Sequence, residues 1–139
     1  MSDSIKSSRA PVPLGAYPHA RRCGSLLFLS GIGPRPPSGG TAAGVKLDAN
    51  GEVLEYDIEA QVHAVCANVR SVLEDAGANW SDLVDITVFL TDIRRDFAAY
   101  NKVYASYFDG DGPTRTTIEV SRLPGPIAIE MKCIAALRD

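Results

Sequence analysis

The chain has 139 residues, of which 45% are apolar and 22% charged, the balance of an ordinary globular protein long enough to bury a core. Its formal net charge of -3 excludes a nucleic-acid binder held by bulk charge. The opening run MSDSIKSSRAPVP has no apolar stretch of signal or membrane-spanning length, so a cytoplasmic protein without a membrane partner is expected.

Residues 1–13 are polar and proline-bearing and are expected to be flexible, at the start of a single domain over 1–139. AYPHARRCGSLLFLSG reads as a hairpin turning at Cys23-Gly24-Ser25, and IGPRPPSGGTAAG as a loop. VKLDANGEVLEY reads as a second hairpin with Asn50-Gly51 at its turn. From Ile58 the period changes: Ile58, Val62, Val65, Val69, Val72, Leu73 and Ala76 make one helical stripe, with Asp57 as N-cap and Gly77 as stop. DLVDITVFLTD is dense in β-branched residues and reads as a strand. DFAAYNKVYASYF returns to helical spacing, with Asp96 as candidate cap, and its aromatic stripe reads as core. Thr114–Ser121 and Ile127–Leu137 read as two final strands joined at RLPGP.

The order is β-β-β-α-β-α-β-β, with no internal repeat. Two amphipathic helices need a sheet face to cover, which gives an α+β fold with both helices packed on one face of a mixed sheet. The other face is left half polar and uncovered, and this implies a symmetric homo-oligomer.

Cys23, Cys66 and Cys133 are scattered and odd in number, which argues against a disulfide framework or a metal site. GIGPRP lacks a third glycine and any G-K-[ST], so it is not a phosphate loop. Ser30 lies in LSG, outside any hydrolase elbow. GPTRTTIEV sets Arg115 among β-branched residues, where an unpaired cation is costly. If the last two strands form a hairpin, Thr117 lies opposite Glu130 and Arg115 reaches Glu130 on the diagonal. A structural ion pair and a substrate-carboxylate clamp with Glu130 as general acid/base both fit that spacing. Tyr17, His19 and Arg21 share one face of the first strand, and Arg35 stands between prolines. Each reads either as surface or as part of an anion site.

GAYPHA, LFLSG, DIEAQ, VFLTDI, DFAAYNKVYASYF, PTRTTIEV, RLP and IAIEMKCIA together resemble the YjgF/Rid family of reactive-intermediate (enamine/imine) deaminases, from Gly15 to about Leu137. The resemblance implies a chorismate-mutase-like fold, a homotrimer or dimer of trimers, and sites in the clefts between subunits. It implies Arg115 as the carboxylate anchor, Glu130 as the group that positions water, and Tyr17 and Gly31 as lining. Thr117 stands where many members carry cysteine, so a thiol role is lost and a backbone role is kept. GAYPHARR, GPR and PTRTT are closest to the 2-aminomuconate deaminase branch. That branch implies conversion of 2-aminomuconate to 4-oxalocrotonate (2-hydroxymuconate) in aromatic-compound catabolism. Such a substrate has two carboxylates, and His19 and Arg35 rank first for the second, ahead of Arg21. The reaction so implied needs neither metal nor organic cofactor. The alternatives are a broad 2-iminobutanoate/2-iminopropanoate deaminase and a non-catalytic trimer that binds a small metabolite. Ribonuclease activity, also attached to the family, ranks last.

Overall fold

A computed structural model describes residues 3–138. The strands are β1 (Ser4–Ile5), β2 (Ala20–Cys23), β3 (Leu26–Leu29), β4 (Lys46–Leu47), β5 (Val53–Glu55), β6 (Leu83–Leu90), β7 (Thr114–Glu119) and β8 (Ile129–Ala136). The helices are α1 (Ile58–Asp75) and α2 (Ile93–Ala105). Six strands form one sheet in the order β1-β2-β3-β8-β6-β7, while β4 and β5 pair separately as the second hairpin.

The local signals act where their chemistry places them. The Asp57 carboxylate accepts the Ala60 N–H and caps α1. Gly77 takes φ 81° just past its end, in the left-handed region that glycine enters without a Cβ clash. Gly24, at φ 61°, turns β2 into β3 in the same way. The cap of α2 is Asp92, whose carboxylate accepts the Arg95 N–H, and not Asp96. Asp96 lies one turn further in, is buried, and accepts the Tyr56 hydroxyl at 2.5 Å.

Both helices cover one face of the sheet, the expected α+β arrangement. Val62, Val65, Val69, Val72 and Leu73 of α1 are fully buried in one core cluster with Leu29 of β3 and with Ile129, Met131 and Cys133 of β8. Each such aliphatic side chain contributes about 1.5–3 kcal/mol on leaving water. Gln61 is a polar tie inside this layer: its Oε1 accepts the Ala128 N–H at 2.8 Å and holds the entry to β8 against the helix. On the opposite face Leu26, Phe28 and Ile118 remain substantially exposed.

Two further expectations are corrected. The last two strands do not pair: β6 lies between them, parallel to β7 and antiparallel to β8. The parallel pairing needs α2 as its crossover, and it leaves the end of β7 (Glu119) and the start of β8 (Ile129) on either side of Leu90 of β6. The N-terminal segment is also tied down within the described residues. β1 pairs with β2, Ser7 Oγ donates to Asp75 at 2.5 Å, and Arg9 forms an ion pair with Asp75 at 2.8 Å. Met1 and Ser2, also expected to be flexible, lie outside the described residues.

Candidate functional site

The sheet splits the expected site residues into two groups. Side chains alternate along a strand, and neighbours in register share a face. Thr117 is level with Val88, and Val88 with Met131, which sets Thr117 on the helix-covered face. Arg115, two residues earlier, shares that face and is level with Ile86 and Cys133. Glu130 is level with Phe89 and Ile118, on the uncovered face. Arg115 and Glu130 of one chain therefore face opposite ways, and the diagonal pair expected between them does not form.

On the helix side, β7 is an edge strand and α2 supplies the wall. Arg115 is half-buried, with its guanidinium 4.7 Å from the centre of the Tyr104 ring, 5.2 Å from that of Tyr100 and 6.0 Å from that of Phe97. These distances suit cation–π attraction, which holds the charge without neutralising it. Nη1 donates to Asn101 Oδ1 at 2.9 Å. Among the described residues no carboxylate pairs with Arg115. A guanidinium carries five N–H donors in a planar fork, so most of the fork is open to an anion. The Thr117 hydroxyl meets the Tyr100 hydroxyl at 2.7 Å, so the Thr117 side chain is engaged within the chain. Burial pushes the Tyr100 and Tyr104 phenols up, with the Arg115 charge opposing the shift. The buried Tyr104 hydroxyl has no hydrogen-bond partner among the described residues.

On the other side lies a cleft of about 310 Å³ whose lining includes Tyr17, Gly31, Gly33, Arg35, Ile127 and Glu130. Glu130 is half-buried, and burial raises its carboxyl above the usual range, while the Arg35 charge works against the shift. Gly31 approaches Glu130 closely: a Cβ there would lie 2.7 Å from Glu130 Oε2, so that side chain would have to shift. Arg35 Nη2 donates to the Val12 carbonyl at 3.1 Å. The Tyr17 hydroxyl accepts the Leu14 N–H at 3.1 Å, which folds the ring back along its own loop.

His19 has a different occupation from the one expected. Its ring lies among the residues around Tyr17 and Arg35, but Nδ1 accepts the Ser7 N–H at 2.9 Å and Nε2 is 2.7 Å from the Pro11 carbonyl. Both nitrogens are thus spent on the N-terminal segment, with Nε2 carrying the proton, and His19 is not the second anion receptor. Arg21 sits on β2, exposed and outside the cleft lining.

Sequence reasoning missed Asn101 and the aromatic cradle, because the tyrosines of α2 read equally well as core. It also missed Asn68, a buried polar residue on α1. Its place beside the apolar stripe of that helix was the one available signal.

The family model described as Endoribonuclease L-PSP matches residues 7–137. A RutC family protein of Pyrococcus abyssi is 39% identical over 131 residues, which is 94% of this chain and 94% of its own. Reactive Intermediate Deaminase A, a chloroplastic protein of Arabidopsis thaliana, is 33% identical over 133 residues, 96% of this chain and 65% of its own. Among solved structures, E. coli TdcF with bound serine matches with a TM-score of 0.82 and 32% identity, over 97% of this chain and 98% of its own.

Proposed function

The chain belongs to the endoribonuclease L-PSP family, the family of the RutC and Rid proteins. From that premise we propose that it is a deaminase that hydrolyses an enamine or imine acid to a 2-oxo acid and ammonia, with 2-aminomuconate as the substrate. The observation that carries the reading is Arg115, a half-buried cation cradled by aromatic rings and left without a carboxylate among the described residues. A fork kept in that state is shaped for a carboxylate that arrives from outside. The serine bound to E. coli TdcF is a ligand with such a carboxylate.

In this reading Arg115 binds the carboxylate beside the reacting carbon, and Asn101 fixes the plane of the fork. The enamine takes a proton at its β-carbon and loses one from nitrogen, and so becomes the imine. A water held by Glu130 then attacks the imine carbon, and the proton it loses passes to nitrogen through the same carboxylate. The carbinolamine hydroxyl gives its proton to nitrogen as the C–N bond breaks, so ammonia leaves and the carbonyl of the 2-oxo acid remains. The raised Glu130 carboxyl lies nearer to neutrality than a solvated one, which suits a group that must both take and give a proton.

Arg115 and Glu130 stand on opposite faces of one sheet, so one chain holds two half-sites. The function then needs a homo-oligomer in which the β7 edge of one copy meets the Glu130 cleft of the next. Symmetric association of the uncovered sheet face supplies such an arrangement.

The test is ammonia release from 2-aminomuconate and from a monocarboxylate imine generated in place by an amino-acid oxidase. Turnover of 2-aminomuconate well above the uncatalysed rate is expected. Release no faster than the uncatalysed rate from either would overturn the deaminase reading. Faster release from the monocarboxylate would overturn the choice of substrate.

A further inference from the structure

The loop after β3 is built more firmly than its composition requires. Asn68 of α1 is 4% exposed, and its Nδ2 donates to the carbonyls of Gly33 at 2.9 Å and Arg35 at 2.8 Å. A buried amide spent on two loop carbonyls pins the backbone where Arg35 departs. Pro34 and Pro36 stiffen the same point, because proline fixes its own φ and restricts the residue before it. The backbone of Arg35 is therefore placed before any ligand binds, and its side chain lines the cleft beside Glu130.

Among the described residues no carboxylate lies within ion-pair distance of that side chain, although its charge reaches Glu130 across the cleft. Among the described residues Arg35 forms no ion pair, and Glu130, on the same cleft, stays beyond pairing distance. Its hydrogen bond goes to a neutral acceptor, the Val12 carbonyl. The cleft thus presents a second guanidinium with open donors, held by a buried pin, in addition to the one on the other half-site.

We propose that Arg35, positioned by Asn68, receives a second anionic group of the substrate, so that the site selects dianionic imine or enamine acids over monoanionic ones. This rests on the deaminase reading and deepens it. His19 is removed from the role because both of its ring nitrogens are bonded to the N-terminal segment.

The experiment measures selectivity, the ratio of kcat/KM for 2-aminomuconate to that for 2-iminopropanoate. In Arg35→Gln that ratio is expected to fall about 10- to 100-fold, the loss of one charge-assisted contact to the dianion alone. Arg35→Lys should recover part of it, and Asn68→Ala should lower the ratio in the same direction. Calorimetric binding of 2-oxoadipate and 2-oxohexanoate, six-carbon probes that differ by one carboxylate, gives a readout independent of turnover. Wild type should favour 2-oxoadipate, and Arg35→Gln should abolish the preference. An unchanged ratio and an unchanged binding preference in Arg35→Gln would overturn the assignment to Arg35. If wild type releases no ammonia from either imine, the deaminase reading has failed, and the binding pair alone decides for or against Arg35.

Discussion

Arg115 and Glu130 show what can be decided one side chain at a time. Alternation along each strand correctly puts Arg115 with Thr117 and Glu130 with Lys132. It cannot say which face of β7 matches which face of β8, because β6 intervenes, and that is a fact about pairing and not about residues. The Arg115 fork should be sensitive to shape as well as charge. Arg115→Ala is expected to lower kcat/KM at least about 10-fold through the lost clamp, and Arg115→Lys to restore less than half of that loss in free-energy terms, since an ammonium cannot grip both carboxylate oxygens. Recovery of full activity in the lysine variant would show that charge alone suffices. Gly31 gives a second residue-scale prediction. The atom that a new Cβ would meet is the free end of the Glu130 side chain. Gly31→Ala should therefore displace the carboxylate and lower kcat, while the melting temperature moves little. A large fall in melting temperature would mean that backbone, and not Glu130, had to give way.

At the scale of elements, the chain was most legible where a cap or a turn stood beside a clear period. Asp57 and Gly77 bracket α1 because capping and positive φ are local chemistry. Asp96 reads as the cap of α2 in the sequence; the apolar surroundings and Tyr56 claim it, and Asp92 takes the cap. The N-terminal strap was illegible because every tie it makes is distant in sequence: Ser7 to His19, and Ser7 and Arg9 to Asp75. Replacing His19 with alanine would strand the buried Ser7 N–H and cost about 1–3 kcal/mol, seen as a lowered melting temperature and faster cleavage near Ser7. The strap should also loosen in acid. The Arg9 guanidinium and the Ser7 hydroxyl hold the Asp75 carboxyl below its usual range, so the stabilisation is complete above the ordinary carboxylate pKa. It disappears as the pH falls through the lowered value. The protection factor of the Ser7 amide, measured by hydrogen exchange, should fall on acidification. Constant protection down to the pH of global unfolding would show that the strap is held by something other than these groups.

The whole molecule raises the question that neither residues nor elements answer. A fold with one covered and one uncovered sheet face was legible from two amphipathic helices and the half-polar last strands. The partition of the site was not, because it depends on the order β8-β6-β7. If the catalytic pair is completed between copies, two variants that are inactive for different reasons should repair each other. Arg115→Ala keeps an intact Glu130 cleft, and Glu130→Gln keeps an intact Arg115 cradle. Unfolded together and refolded as an equal mixture, they form rings in which a site is whole only where an Arg115-bearing edge meets a Glu130-bearing cleft. With random mixing that is about a quarter of the sites in any cyclic oligomer with one such junction per copy. Ammonia release near a quarter of the wild-type rate is therefore expected from the mixture, against almost none from either variant alone. A site contained within one chain gives no recovery at any mixing ratio, because every chain then carries its own defect. The mixture thus separates a shared site from a self-contained one whatever the number of copies in the ring.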